Sequence, residues 1–191
     1  TSISAALGIS EAMKLKGDKH HTIAVIGDGA FTGGLAYEGL NNAGKSDNNL
    51  VVILNHNDMS ISKNVGAFAK YLTSIRGNAT YLDVKKKVEQ LLINTPVVGE
   101  PIKNVLSASK TALKSVLYHS TMFEDMGFIY LGPVNGHNLE ELEEALRSAK
   151  KLKRPVFVHV NTVKGKGYKP AELNPGAFHA VSSSGYNKNN P

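Results

Sequence analysis

Two short apolar runs, "IAVI" at 23–26 and "LVVIL" at 50–54, bracket a stretch with helical spacing over 33–43. A strand that is apolar without alternation is one buried on both faces. Two such strands joined by a helix must run parallel, because the crossover returns the chain to the same end of the sheet. This unit fixes the fold class as α/β, a parallel sheet flanked by helices. It also says where to look for chemistry: ligands of parallel sheets bind beyond the carboxyl ends of the strands.

The rest of the chain extends the pattern. Apolar side chains recur at helical spacing over 3–15, with Ser2 or Ser4 as candidate cap and Gly17 as candidate stop. Gly44 is placed to end the 33–43 helix. "FIYLG" (128–132) and "RPVFVHVNT" (154–162) are predicted strands. Between them Asn138, with Glu141 three residues on, predicts a capping box opening a helix to about Leu152. Residues 66–120 form a long insert with helix-like patches at 83–93 and 104–118, separated by "NTPVVGEP". Excursions of that length in compact domains often serve as lids or binding segments, so a mobile segment near the site mouth is expected. The domain is expected to span 1–181, and the polar end 182–191 a linker or tail. With no initial Met and no secretory signal pattern, the chain is expected to be an internal piece of a longer one.

Composition narrows the function classes. Hydrophobic residues make up 41% and charged residues 20%, an ordinary globular balance. The apolar runs are strand-sized, so no membrane span is predicted. There is no cysteine, which removes disulfides, a thiolate nucleophile and thiolate zinc sites, and fits a cytoplasmic protein. The net charge of +6 gathers in Lys85–Lys87, Lys150–Arg154 and the trio Lys164, Lys166 and Lys169. The first two groups suit solvated helix faces. No aromatic-interleaved basic stripe or known module points to nucleic acid.

The first strand of the unit runs into "GDGAFTGG" (27–34). Gly27, Gly29 and Gly33 imitate a dinucleotide loop, but that loop brings backbone N–H groups against a pyrophosphate. The Asp28 carboxylate would repel it, and Asn55 stands where an acid for the ribose is usual. A divalent cation between carboxylate and diphosphate resolves the conflict. Mg²⁺ takes oxygen ligands, commonly one or two carboxylates plus phosphate and water. Asp28 supplies the charge, and Asn57, beyond the next strand, an amide oxygen. A carbonyl near Met59 supplies another, while the Gly29 and Ala30 N–H groups are left for phosphate oxygens.

Gly-Asp-Gly followed by Asn57 resembles the thiamine diphosphate motif. "GDGAFTGGLAYEGLNNAG" with "LVVILNHNDMSISKNVGA" is more specifically similar to the 1-deoxy-D-xylulose-5-phosphate synthase family, which is transketolase-like. "TSISAALG", "GPVNGH", "KGKGYKPAE" and "FHAV" continue the likeness over about 1–181. It implies the thiamine diphosphate-binding fold, with Mg²⁺ held by Asp28, Asn57 and the Met59 carbonyl. Gly29 and Ala30 would contact the diphosphate, Ile61 would pack on the cofactor, and Lys164 would reach the diphosphate. His179 resembles the family's active-site histidine, a group able to bond substrate or move a proton. His137 suits a structural role. Asn135 replaces a common Asp and keeps turn chemistry without the charge. His20, His21, His56, His119 and His159 are assigned no catalytic part.

The implied reaction is a carboligation. Pyruvate loses CO₂, and the remaining two carbons join the aldehyde of D-glyceraldehyde 3-phosphate to give 1-deoxy-D-xylulose 5-phosphate. That product feeds isoprenoid, thiamine and pyridoxal synthesis. The resemblance also implies a homodimer, and further parts outside this chain: an upstream active-site segment and a pyrimidine-binding domain. The chain alone is therefore expected to be inactive. Two other readings are another transketolase-type half-subunit and a non-catalytic module that keeps the fold.

Overall fold

A computed structural model describes residues 1–59, 65–77 and 121–180. The predicted patches at 83–93 and 104–118, most of the expected mobile insert, Ile61, His119 and the 182–191 tail lie outside the described residues. The elements run α1 (Ser2–Leu15), β1 (Thr22–Gly27), α2 (Asp28–Phe31), α3 (Gly34–Ala43), β2 (Leu50–His56) and α4 (Ala67–Gly77). After them come α5 (Met122–Asp125), β3 (Ile129–Asn135), α6 (Leu139–Lys151), β4 (Val156–Asn161) and α7 (Lys169–Leu173). The four strands form one parallel sheet in the order β1-β2-β4-β3.

Local chemistry explains most element ends. α1 stops at Gly17, whose φ of 71° suits a residue without Cβ. The Asp18 N–H donates to the Met13 carbonyl at 2.9 Å and the Gly17 N–H to that of Lys14 at 3.0 Å, the paired bonds of a Schellman stop. At its other end the N-cap is Thr1, with no side-chain bond, so neither Ser2 nor Ser4 caps the helix. Asn138 does cap α6, accepting from the Glu141 N–H at 3.3 Å. The box is not completed, because the Glu141 carboxylate accepts from the Asn135 N–H instead. A complete box does open α5, between Thr121 and Glu124.

Two elements exceed the sequence expectation. β3 continues through Pro133 to Asn135, which a proline, lacking an N–H to donate, ordinarily prevents. β3 is an edge strand, and its register to β4 shifts between Leu131 and Val134, so no ladder bond is lost there. Gly132 has φ 136°, and a Cβ on it would sit 2.5 Å from the His159 carbonyl oxygen. The helix α4 occupies the start of the expected insert. Phe68, Tyr71 and Ile75 pack on the core, and Leu72 is buried within it.

One face of the sheet carries an aromatic core under α1, α3, α4 and α5. Phe157 at its centre lies with its ring centroid 3.8 Å from that of Phe123 and 5.7 Å from that of Phe31. The other face packs Val51, Val156, Val158 and Val160 against Leu142, Ala145 and Ala149 of α6. On that side β1 is bare: Ile23 and Val25 are 51% and 62% exposed. Removing the Phe157 ring would leave a cavity among packed aromatics. Phe157→Ala is expected to lower the unfolding free energy by about 3–5 kcal/mol in urea titration followed by circular dichroism.

Candidate functional site

β1 delivers Asp28 to the carboxyl edge as the first residue of α2, and β2 delivers Asn57, Asp58 and Met59 beside it. Asp28 is 2% exposed. Its Oδ1 accepts from the Gly29 N–H at 2.8 Å. Its Oδ2 accepts from the N–H groups of Asn57 and Asp58 at 2.9 and 2.7 Å. A buried carboxylate thus ties the loop after β1 to the loop after β2. Such charge-assisted bonds are the strong ones. Asp58 takes φ 61°, the left-handed region that a residue with a side chain seldom occupies. Asn57 accepts the Met59 N–H through Oδ1 at 3.1 Å, closing a turn over Asp58.

The Gly29 amide, expected to serve phosphate oxygens, is here committed to the Asp28 carboxylate. Ala30 lines a cavity of about 460 Å³ together with Gly27, Gly33 and Gly34. Asp28 and Asn57 are not among its lining residues, so this cavity adjoins the knot without containing it.

Beyond β4, the Lys164 ammonium lies 2.7 Å from His179 Nδ1. Lysine can only donate, so the proton of a neutral His179 ring sits on Nε2. The structure therefore brings Asp28, Gly29, Asn57 and Met59 into one knot and joins Lys164 to His179 as a second pair. Other bonds stitch the same edge. Thr162 donates its hydroxyl to Asn55 Oδ1 at 2.6 Å and its N–H to the His56 carbonyl at 2.8 Å. His137 Nε2 accepts the Val163 N–H at 2.8 Å, a structural staple as expected. Asn135 keeps its turn, accepting the His137 N–H at 3.0 Å.

The donor set passes a chemical test for a hard cation. An ionised carboxylate has about four acceptor sites, and three of those on Asp28 are used by N–H groups. A further acceptor direction is left on it, and another on Asn57 Oδ1. All these donors are oxygen, as Mg²⁺ prefers. At the same edge, Asn161 Oδ1 is buried without a hydrogen-bond partner among the described residues. Among the described residues no three His, Cys, Asp or Glu side chains converge on a point. A cation here therefore needs ligands from elsewhere, which a diphosphate would supply.

Sequence reasoning missed a buried pair, His56 with His159, bonded through Nδ1 and Nε2 at 2.8 Å. The signal was available in "VFVHV" and "LVVILNH": a polar ring in a strand otherwise apolar must find a partner.

The fold and loops define a parallel α/β domain with a buried carboxylate linking two loops at its carboxyl edge. Comparison with known proteins gives the family. The 1-deoxy-D-xylulose-5-phosphate synthase family model, describing the N-terminal part of that enzyme, matches residues 1–162. The chain is 50% identical over 182 residues to the 1-deoxy-D-xylulose-5-phosphate synthase of Caldanaerobacter subterraneus, covering 95% of this chain and 29% of that protein. It is 52% identical over 182 residues to the enzyme of the same name from Thermomicrobium roseum, again covering 95% and 29%. The chain thus spans less than a third of the length of these relatives. A Campylobacter jejuni transketolase structure aligns at TM-score 0.48 and 24% identity, covering 86% of this chain and 20% of that one, too distant to argue from. The chain belongs to the 1-deoxy-D-xylulose-5-phosphate synthase family. No helix among the described residues is long and apolar enough to cross a membrane.

In Asp28→Asn an amide nitrogen replaces one acceptor and faces backbone donors. A hydrogen bond to a charged group is worth about 1.5–3 kcal/mol, so amide exchange at Asn57 and Asp58 is expected to quicken about ten- to a hundredfold. Hydrogen–deuterium exchange read by NMR at those two amides checks this.

Proposed function

We propose that this chain is the diphosphate-binding part of a thiamine diphosphate-dependent transferase. That enzyme condenses pyruvate with D-glyceraldehyde 3-phosphate, releasing CO₂ and 1-deoxy-D-xylulose 5-phosphate. The observation that carries the reading is the Asp28 carboxylate, buried where the loops after β1 and β2 meet and bonded to both. Membership of the synthase family supports the choice of cofactor and substrates. The enzyme supplies isoprenoid, thiamine and pyridoxal synthesis, acts in the cytoplasm, and works as a homodimer.

Each residue has a part. Asp28, Asn57 Oδ1 and the Met59 carbonyl would hold Mg²⁺. Gly29 and Ala30 would hold the diphosphate, the Ala30 N–H as donor, while the Gly29 N–H aligns the Asp28 carboxylate. Lys164 offsets diphosphate charge, and its three protons let it keep the His179 bond as well. His179 then presents Nε2–H as donor to a substrate oxygen. Ile61 supplies an apolar contact. Thiamine diphosphate, when bound, supplies the carbon nucleophile and electron sink for the exchange of one carbon–carbon bond for another. The diphosphate-binding domain takes in residues 1–181, with α4 at the start of the 66–120 stretch packed on its core. A pyrimidine-binding domain completes the site, so the chain alone does not turn over.

Calorimetric titration with thiamine diphosphate, with and without Mg²⁺, tests the reading. Binding is expected to require Mg²⁺ and to vanish in Asp28→Ala. Binding that ignores Mg²⁺ or survives Asp28→Ala overturns it, as does no binding even with a pyrimidine-binding domain restored. With that domain restored, turnover of pyruvate is expected; turnover of a sugar-phosphate donor instead points to a transketolase-type enzyme.

A further inference from the structure

A line of buried polar groups crosses the aromatic face of the sheet and ends in the loop after β2. Tyr130 on β3 is bonded through its hydroxyl to His159 Nδ1 at 2.7 Å. His159 Nε2 is bonded to His56 Nδ1 at 2.8 Å, and His56 Nε2 to Asp58 Oδ1 at 2.7 Å. The two rings are 1% and 0% exposed. Their centroids lie 5.0 Å apart with planes 26° from parallel, the geometry of rings joined edge to edge. The register explains the line. Tyr130 pairs with Phe157 and Leu54 pairs with His159. Each step therefore crosses one strand and advances two residues toward the carboxyl edge. Side chains two apart share a face, so all three point into the same core.

The carboxylate at the end of the line dictates the protons. It accepts only, so His56 carries its hydrogen on Nε2. Beyond that bond each donor faces an acceptor in turn, from His56 through His159 to the Tyr130 hydroxyl, so the line is satisfied along its whole length.

Asp58 is the residue held at φ 61°. A non-glycine backbone in that region costs about 1–3 kcal/mol and persists only where the surroundings over-determine it. Here bonds to its N–H and to its carboxylate do so, the one from the Thr73 hydroxyl to Oδ1 at 3.3 Å among them. The Asp28 carboxylate takes the Asp58 N–H at 2.7 Å, and the line from Tyr130 takes its side chain. On either side of Asp58 stand Asn57 and Met59, the two ligands this loop is proposed to offer the metal. We infer that Tyr130, His159 and His56 are positioning residues that hold Asp58 in its left-handed conformation, so that Asn57 and Met59 present their oxygens to the metal. The inference rests on the proposed Mg²⁺–diphosphate reading of the site.

Three measurements on the full 191-residue chain test it. First, long-range ¹H–¹⁵N spectra of the imidazoles, taken without ligand, are expected to show a proton on His56 Nε2, the atom that faces Asp58. A His56 Nε2 without a proton overturns the inference. Second, Mg²⁺ is titrated in the presence of thiamine diphosphate. His56→Leu is expected to raise the half-saturating Mg²⁺ concentration about ten- to a hundredfold, as loss of a partner behind a metal ligand does. His56→Gln, which restores an N–H donor, is expected to recover most of it, and Tyr130→Phe, which removes one oxygen, to give a smaller rise. An unchanged Mg²⁺ requirement in His56→Leu, or equal loss in His56→Leu and His56→Gln, overturns the inference. Third, amide exchange at Asp58 and Met59 is followed without metal. It is expected to quicken about tenfold in His56→Leu and to return toward wild type in His56→Gln; no change in His56→Leu overturns the inference. Should wild type bind neither Mg²⁺ nor cofactor even with a pyrimidine-binding domain restored, the proposed function fails, while the spectra and the exchange still decide whether this line positions the loop.

Discussion

The carboxyl edge of this domain is organised by one buried carboxylate. Asp28 sits at the end of β1, yet two of its three backbone donors belong to the loop after β2. A neutral side chain could not gather three N–H groups on two oxygens, because an amide brings its own donors and a hydroxyl its own hydrogen. The requirement for an anion explains why a negative charge stands in a glycine-rich turn that otherwise suits phosphate. The parallel sheet is equally necessary, since only parallel β1 and β2 bring their carboxyl ends together. The strained backbone of Asp58, the Asn57–Met59 turn and the placement of α2 all follow from those bonds.

The edge divides by chemistry. Around Asp28 the side chains offer oxygen, while beyond β4 Lys164 and His179 offer nitrogen and positive charge. A cation fits the first zone, and an anion the second. A diphosphate with its metal has both characters, which is why a chain with no convergent group of acids and histidines among its described residues can still suit a magnesium-bound ligand.

Much of this was legible in the sequence, and the reason differs from element to element. β2 was readable because burial on both faces leaves an uninterrupted apolar run; β1 carries such a run too, yet it is buried on one face only, with Ile23 and Val25 exposed on the other. α6 was readable from Asn138 and its acidic first turn. Asp28 and Asn57 were readable as a pair because the helix and strand between them set the spacing. β3 was read too short because Pro133 argues against a strand, and only its place at the sheet's edge makes that proline harmless. α4 was absorbed into a long insert, although Phe68, Tyr71, Leu72 and Ile75 carry helical spacing. The commitment of the Gly29 amide to Asp28 depends on a side-chain rotation that spacing does not convey. The histidine pair was legible only in part: each ring's need for a buried partner shows in its apolar strand, but not which partner it finds. His56 and His159 are separated by 103 positions and meet only through the register of β2 on β4.

That register has a meaning in time as well as in space. β4 is the last of the described strands in the chain order, yet it lies between β2 and β3. As the polypeptide emerges, β1 and β2 can pair at once, but in this sheet β3 has only β4 for a neighbour and must wait. The same late strand carries Phe157 for the aromatic core, Val158 for the opposite face and His159 for the polar line. Non-local pairings of this kind are slow to form. The aromatic core and the polar support of the site therefore both depend on this one central strand.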